Sequence, residues 1–306
     1  MNKSALMVYN PNSGLGISNE ILEKFKNKLN DLNYSSKLVL TKGPNDAKEI
    51  VSSSEFFDIV FSLGGDGTLN EVVNGNLKRD KQMTVVPIPT GSCNDVASML
   101  GYGKDPIENL DLALNGNIKE VDIGTINKQA FTYVVGMGKY MHIPYETTRD
   151  VKSKLGYYAY IKEGIKEFFN TTKLYNIKVE ADGIKLDGNY SLVLISNSNH
   201  IAGISGFHKD VLLDDGMFEV ILCKAKSRST LVSSFIDFYM GGKPKDFISF
   251  KANDIKLELQ EKLDKSFCID GERLDDDSLI YNINASNKMN FIVPKEKEKK
   301  LFINNI

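Results

Sequence analysis

The sequence predicts an α/β domain followed by an all-β domain, and two observations carry that reading. In the first third, short apolar runs alternate with helical patterns; in the remainder, apolar runs succeed one another without regular helices between them. The first pattern is that of a doubly wound parallel sheet covered by helices, the second that of an antiparallel β-sandwich. A length of 306 residues exceeds what one core usually serves, which agrees with two domains. The boundaries are expected at 1–122 for the α/β domain and 123–288 for the sandwich, with 289–306 returning to the first domain.

The elements follow in order. Apolar runs at 5–9, 37–40, 58–63 and 84–88 read as the parallel strands. Ile21, Phe25, Leu29 and Leu32 recur at near-helical spacing over 20–32, and 47–53 offers a shorter helix. From residue 121 the strands are 121–126, 130–135, 175–181, 190–196, 217–223, 255–259 and 267–269. Helices interrupt them at 154–169 and 229–239, the former with Leu155, Tyr158, Ala159, Ile165 and Phe169 on one side. A last apolar run at 290–293 precedes a charged stretch at 295–300 that reads as a solvated tail.

Composition narrows the classes. Hydrophobic residues at 42% and charged residues at 25% exclude a disordered chain. A formal charge of -2 gives no global attraction to nucleic acid or to an anionic membrane, so any basic surface is local. Cys93, Cys223 and Cys268 are odd in number and far apart, which fits reduced thiols in the cytoplasm and no zinc spacing. The opening apolar stretch is too short for a signal peptide, and no run of about 18 apolar residues occurs, so no spanning helix is expected. His142, His200 and His208 show neither a zinc pair nor a triad spacing and are expected to be structural or substrate-lining.

In an open α/β sheet, ligands bind at the carboxyl ends of the strands, where helix amino termini present free N–H groups. Three loops fall at that edge: Asn10, Pro11, Asn12, Ser13 and Gly14 after the first strand; Gly64, Gly65, Asp66, Gly67 and Thr68 after the third; Thr90, Gly91, Ser92, Cys93, Asn94 and Asp95 after the fourth. Glycine, small hydroxyl residues and Asn let backbone N–H groups approach an anion closely. Strand-to-helix turns also use glycine for structure alone, and Thr68 with Glu71 has capping-box spacing. An Asp beside an anion site, as Asp66 would be, calls for a cation or a proton between them, and magnesium supplies the former. Neither the dinucleotide Gly-x-Gly-x-x-Gly fingerprint nor the Gly-x-x-x-x-Gly-Lys-Ser/Thr loop is present.

These loops, with Leu69, Asn70, Glu71, Val72, Val73, Asn74 and Gly75 continuing the second, Leu213, Asp214, Asp215 and Gly216, and finally Asp270, Gly271 and Glu272, resemble the diacylglycerol kinase catalytic-domain family, which includes sphingosine kinases and bacterial lipid kinases. The likeness spans nearly the whole chain. Ser92 stands where Thr is usual and Val96 replaces an aromatic. The resemblance implies ATP bound by Asn10, Pro11, Asn12, Ser13, Gly14, Thr41, Gly64, Gly65, Asp66, Gly67, Thr68, Leu69, Asn70 and Thr90. It implies Glu272 as general base, Asp66 in the metal–phosphate network or in proton transfer, and Asp95 and Asp122 in the same magnesium and water network, with Asp66 and Asp95 counted as catalytic groups beside Glu272. A structural magnesium is implied at Asp215 with the carbonyls of Leu212 and Met217; the alternative is a plain hairpin turn at Asp214–Gly216. Asp275, Asp276 and Asp277 read as a solvated acidic loop.

The implied activity is ATP- and Mg2+-dependent phosphorylation of a membrane lipid hydroxyl, foremost diacylglycerol to phosphatidic acid, by a cytoplasmic enzyme that visits the membrane transiently. Other lipid alcohols, an NAD kinase and a non-catalytic sensor are the alternatives, and a homodimer is left open. No nucleic-acid partner is expected. The stretch 142–169, with Tyr145, Tyr157, Tyr158 and Tyr160 among Lys152, Lys154, Lys162 and Lys166, is the membrane-facing candidate, or it packs on the sandwich.

Overall fold

The computed structural model describes residues 3–14, 16–138, 173–201, 204–205, 208 and 210–303. The expected helix at 154–169, the membrane-facing stretch at 142–169 and His142 lie outside the described residues. The chain divides into two compact units, one running to Val121 and resuming at Lys288, the other from Asp122 to Asn287.

The first unit alternates β1 (Lys3–Tyr9), α1 (Asn19–Asp31), β2 (Tyr34–Leu40), α2 (Asp46–Ser53), β3 (Ile59–Gly64), α3 (Asp66–Asn76), β4 (Thr84–Pro89), α4 (Asp95–Leu100) and α5 (Pro106–Leu114). Its strands pair in parallel in the order β2-β1-β3-β4. All six residues of β3 are buried, as a central strand covered on both faces requires. Helix α1 is held by one stripe: Leu22, Phe25 and Leu29 are buried, Phe25 meets Phe61 edge-on at 5.3 Å, and Ser18 caps the amino end through the Ile21 N–H.

Strand β5 (Asn117–Ile126) leads into the second unit. There follow β6 (Gln129–Phe131), β7 (Val134–Gly138), β8 (Tyr175–Ala181), β9 (Ile184–Tyr190), β10 (Leu192–Ser196), β11 (His200–Ile201), β12 (Ile204–Ser205), β13 (Phe218–Cys223), α6 (Arg228–Tyr239), β14 (Phe247–Ala252), β15 (Ile255–Leu259), β16 (Cys268–Ile269) and β17 (Glu272–Arg273). Strands β14-β13-β10-β7-β16-β17 form one antiparallel layer, and β15-β8-β9 lie in another. Val135, Val193, Ile195, Phe218 and Val220 from the first layer share a core with Ile177, Val179, Ile255 and Leu257 from the second.

The last strand, β18 (Ile280–Val293), pairs antiparallel with β15 at its start, and its Phe291 pairs in parallel with Val85 of β4. Residues 290–293 therefore complete the first unit's sheet, where the Tyr102 hydroxyl also donates to the Ile292 carbonyl at 2.8 Å. The charged stretch that follows is not a free tail. It forms α7 (Lys295–Leu301), where Glu298 pairs with Lys119 and accepts from Asn117, while Leu301 and Phe302 are buried. Two apolar residues hidden in a lysine-rich run were enough to dock it.

His208 is buried with its ring edge-on to Phe238 of α6, 5.7 Å between centroids. Burial and the nearby Lys251 charge push its pKa down to about 4. The unfolded chain then takes up a proton near the ordinary imidazole pKa that the folded chain refuses until about 4. Stability is expected to fall as pH drops through that window, by at most about 3 kcal/mol. Denaturation of His208→Phe across the same pH range should show a flatter profile than wild type.

Candidate functional site

The carboxyl ends of the four parallel strands form one rim, since Tyr9 registers with Leu40 and Leu63, and Gly64 with Pro89. Strands β1, β2 and β4 are each continued one rung beyond their ends. The Asn10 N–H donates to Leu63 O at 2.9 Å, Thr41 N–H to Tyr9 O at 2.8 Å, and Thr90 N–H to Gly64 O at 2.9 Å. Asn10, Thr41 and Thr90 are thereby held side by side along the rim.

Beyond these rungs the three loops touch. Asn10 Nδ2 donates to Thr68 Oγ1 at 2.9 Å, tying the first loop to the second, and Asn10 Oδ1 accepts from the Asn12 N–H at 3.0 Å. Gly14, at φ +56°, lies so close to the third loop that a Cβ there would come within 1.9 Å of Thr90 O. A Cβ on Gly91 would meet Gly65 Cα at 2.6 Å. Ser13 Oγ lies 3.5 Å from where a Gly65 Cβ would stand. The third loop is closed on itself by Asn94, whose side chain accepts from the Gly91 N–H at 2.9 Å and donates to Gly91 O at 2.7 Å.

Two carboxylates sit at this rim. Asp66 opens α3 and its Oδ1 accepts from the Val96 N–H at 3.3 Å; Asp95, 1% exposed, opens α4 immediately before Val96. Helix α3 begins at Asp66 with Gly65 as its N-cap, three residues ahead of the expected Thr68. The capping-box pairing is therefore absent: Thr68 faces Asn10, and Glu71 instead accepts from the Asn45 and Ala47 N–H groups at the start of α2. Leu69 is buried and Asn70 half-buried in the same helix, and Pro11 and Asn12 are exposed.

The rim fits a phosphate-bearing ligand on two observations. Glycine side-chain positions are filled by backbone, which leaves main-chain groups rather than side chains at the surface of the loops. Thr90 Oγ1 is buried and has no hydrogen-bond partner among the described residues. Among the described residues no three His, Cys, Asp or Glu side chains cluster as an all-protein metal cage. Magnesium does not need one: one or two carboxylates complete its octahedron when phosphate and water supply the rest, and Asp66 with Asp95 fit that chemistry.

The remaining predicted residues belong to the second unit. Asp122, fully buried, accepts from the Gly216 N–H at 2.6 Å and donates its own N–H to Leu213 O at 2.7 Å, while Asn197 donates to its carbonyl at 3.0 Å. Asp122 is thus joined to the turn that carries Leu212, Asp215 and Met217, about which Gly216 takes φ +69°. Asp215 Oδ1 accepts from the Met217 N–H at 3.0 Å. Its Oδ2 lies 3.2 Å from the Lys251 ammonium, which is also 3.2 Å from Glu219 Oε1 and 3.1 Å from Asp210 O. A divalent ion on that oxygen would have to displace Lys251, so these residues do not fit a structural magnesium as they stand. Sequence reading passed over Lys251 and Glu219; the signal was their cross-strand pairing in β14 and β13. Burial pushes the Glu219 carboxyl up to about 7, against the pull of Lys251.

Asp270, 2% exposed and at φ +47°, collects the N–H groups of Thr132, Tyr133 and Val134 and the Thr132 hydroxyl at 2.6–3.1 Å. Its carboxylate ties the start of β7 to the turn that presents Glu272, whose own side chain is exposed in β17. Asp276 is not merely a solvated acid: it accepts from Asn127 at 2.7 Å and from the Ser278 N–H at 2.9 Å.

A family model described as diacylglycerol kinase catalytic domain matches residues 4–126. A diacylglycerol kinase of Bacillus subtilis (strain 168) is 30% identical over 306 residues, covering 98% of this chain and 99% of that protein. One of Staphylococcus epidermidis is 32% identical over 234 residues, covering 76% and 73%. A crystal structure of a diacylglycerol kinase from Bacillus anthracis str. Sterne superposes with a TM-score of 0.74 at 26% identity, covering 96% and 98% of the two chains.

Gly14→Ala is expected to destabilise the first unit by at least about 2 kcal/mol, because the new methyl adds a left-handed backbone penalty to an overlap with Thr90 O. Gly43→Ala, where a Cβ meets nothing within 4 Å, is the control and should leave the denaturation midpoint nearly unchanged. Lys251→Met strands the Glu219 carboxylate and should cost about 2 kcal/mol. Adding Glu219→Leu to it should recover most of that loss in the same denaturation assay.

Proposed function

Because the chain belongs to the diacylglycerol kinase family, we propose that it transfers the γ-phosphoryl group of ATP to the hydroxyl of a membrane lipid, diacylglycerol giving phosphatidic acid. The observation that carries this reading is the meeting of three glycine loops at one rim, with Asp66 and Asp95 drawn together through the Val96 N–H.

Phosphoryl transfer asks a protein mainly for positioning and charge neutralisation. The loops Asn10–Gly14 and Gly64–Asn70, with Thr41 and Thr90, bind the nucleotide through backbone N–H groups and small hydroxyls. The Thr90 hydroxyl, which has no partner among the described residues, would gain one in the ligand. Asp66 and Asp95 would hold magnesium, which would supply charge neutralisation at the phosphate oxygens. Asp122 fixes the backbone at Gly216 within the second unit. Glu272, exposed on a turn that Asp270 anchors, accepts the proton of the lipid hydroxyl. The hydroxyl oxygen bonds to the γ-phosphorus as the bond to the bridging oxygen breaks, and ADP leaves.

Incubation with labelled ATP, magnesium and a total lipid extract, followed by identification of the labelled product, tests the proposal. Label is expected in phosphatidic acid. Asp66→Asn and Glu272→Gln should each lower the rate by at least about a hundredfold with folding retained; rates equal to wild type would remove those roles.

A further inference from the structure

Three large apolar side chains that face solvent fall within five consecutive residues. Ile236 is 60% exposed, Tyr239 45% and Met240 75%. Their spacing of three and four residues sets them on one face at the carboxyl end of α6. The other face of that helix is firmly seated. Leu231 and Ser234 are buried, Phe235 meets Phe247 edge-on at 5.1 Å, and Phe238 packs on Phe247 and on His208, each at 5.7 Å between centroids. The apolar trio is therefore held outward by aromatic packing beneath it.

Lysines rim this patch. After α6 the chain turns through Gly241, at φ +88°, and Gly242, whose N–H donates to Asp237 O at 2.8 Å, and then runs into Lys243, Pro244 and Lys245. The Lys224 N–H donates to Asp246 O at 2.8 Å, which brings Lys224 and Lys226 alongside that run. All four lysine side chains are exposed. Lys226, Lys243 and Lys245 enter no ion pair among the described residues. Residues 224–246 carry Lys224, Lys226, Arg228, Lys243 and Lys245 against Asp237 and Asp246, five positive less two negative, a formal +3 in a chain whose total is -2.

We propose that α6 and the turn after it form the surface by which this chain docks on an anionic bilayer. Ile236, Tyr239 and Met240 enter the boundary between headgroups and acyl chains, and Lys224, Lys226, Lys243 and Lys245 lie over the lipid phosphates. Charge decides between a bilayer and a second copy of the chain. A two-fold contact would set this positive rim against itself, whereas an anionic surface complements every lysine in it. The proposal rests on the lipid-kinase reading for its purpose: no described helix is long and apolar enough to cross a membrane, so a lipid hydroxyl has to be met at the surface.

The test is sedimentation of the full chain with vesicles of phosphatidylcholine alone or mixed with phosphatidylglycerol, at low and high salt. Wild type is expected to bind the mixed vesicles, more weakly as salt rises. Lys243→Gln/Lys245→Gln should weaken that binding about 30-fold, the equivalent of about 1 kcal/mol per lysine. Ile236→Ser/Met240→Ser should weaken it at least about tenfold, with melting temperature unchanged because both side chains are exposed. Binding equal to wild type in both double variants overturns the proposal, as does conversion of a wild-type dimer to monomer with vesicle binding intact. Turnover of a short-chain diacylglycerol in detergent separates the two readings. Variants that lose vesicle binding but keep this turnover uphold the docking surface. A wild type that phosphorylates no lipid, while its variants still lose vesicle binding, overturns the kinase reading and leaves the surface standing.

Discussion

Strand spacing is the constraint on which the rim depends. Neighbouring parallel strands lie about 4.8 Å apart, so loops leaving β1, β3 and β4 at the same level start almost in contact. Side chains there would force them apart. Gly14 against Thr90 O and Gly91 against Gly65 Cα show the alternative, in which backbone packs on backbone. The hydrogen bond from Asn10 to Thr68 then locks the first loop to the helix that follows the second. Loops that meet backbone to backbone can bring N–H groups close to an anion, which surface lysines do not reproduce in so small a space.

Acidic residues of similar appearance do different work in the two units. Asp66 and Asp95 each open a helix at the rim, where the helix amino end favours a carboxylate. Asp270 spends both oxygens on four donors from residues 132–134, and Asp122 spends one on the Gly216 N–H. These buried acids are cross-links between distant strands. Glu272 inherits its position from one of them, since the left-handed turn at Asp270 and Gly271 sets the direction of β17.

The parallel strands were legible because their apolar runs and glycine-rich ends fall in one register of the sequence, and the change to an antiparallel layer was legible from the loss of helical periods. Other features were hidden for definite reasons. Strand β14 reads Phe-Ile-Ser-Phe-Lys-Ala, with no clean alternation, so Lys251 was not set opposite Glu219 until the register was known. The spacing of Thr68 and Glu71 matches a capping box, yet the glycine ahead of Asp66 allows the helix to start a turn earlier, which frees Glu71 to cap α2. In α7, charge at every position but one conceals that Leu301 and Phe302 are buried.

On the proposed reading, a chain of nearly neutral total charge would serve an anionic nucleotide and an anionic surface by segregating its charges. A carboxylate that held a cation would repel lipid phosphate lying within the screening distance, about 8 Å at physiological salt. Asp66 and Asp95 belong to the first unit, and the +3 excess at 224–246 belongs to the second, on a helix seated there by its aromatic underside. Asp215 and Glu219, the acids nearest in sequence to that excess on its amino-terminal side, share one ion-pair partner in Lys251. Lys251 thus offsets part of the negative charge that would otherwise oppose the field of the surface lysines.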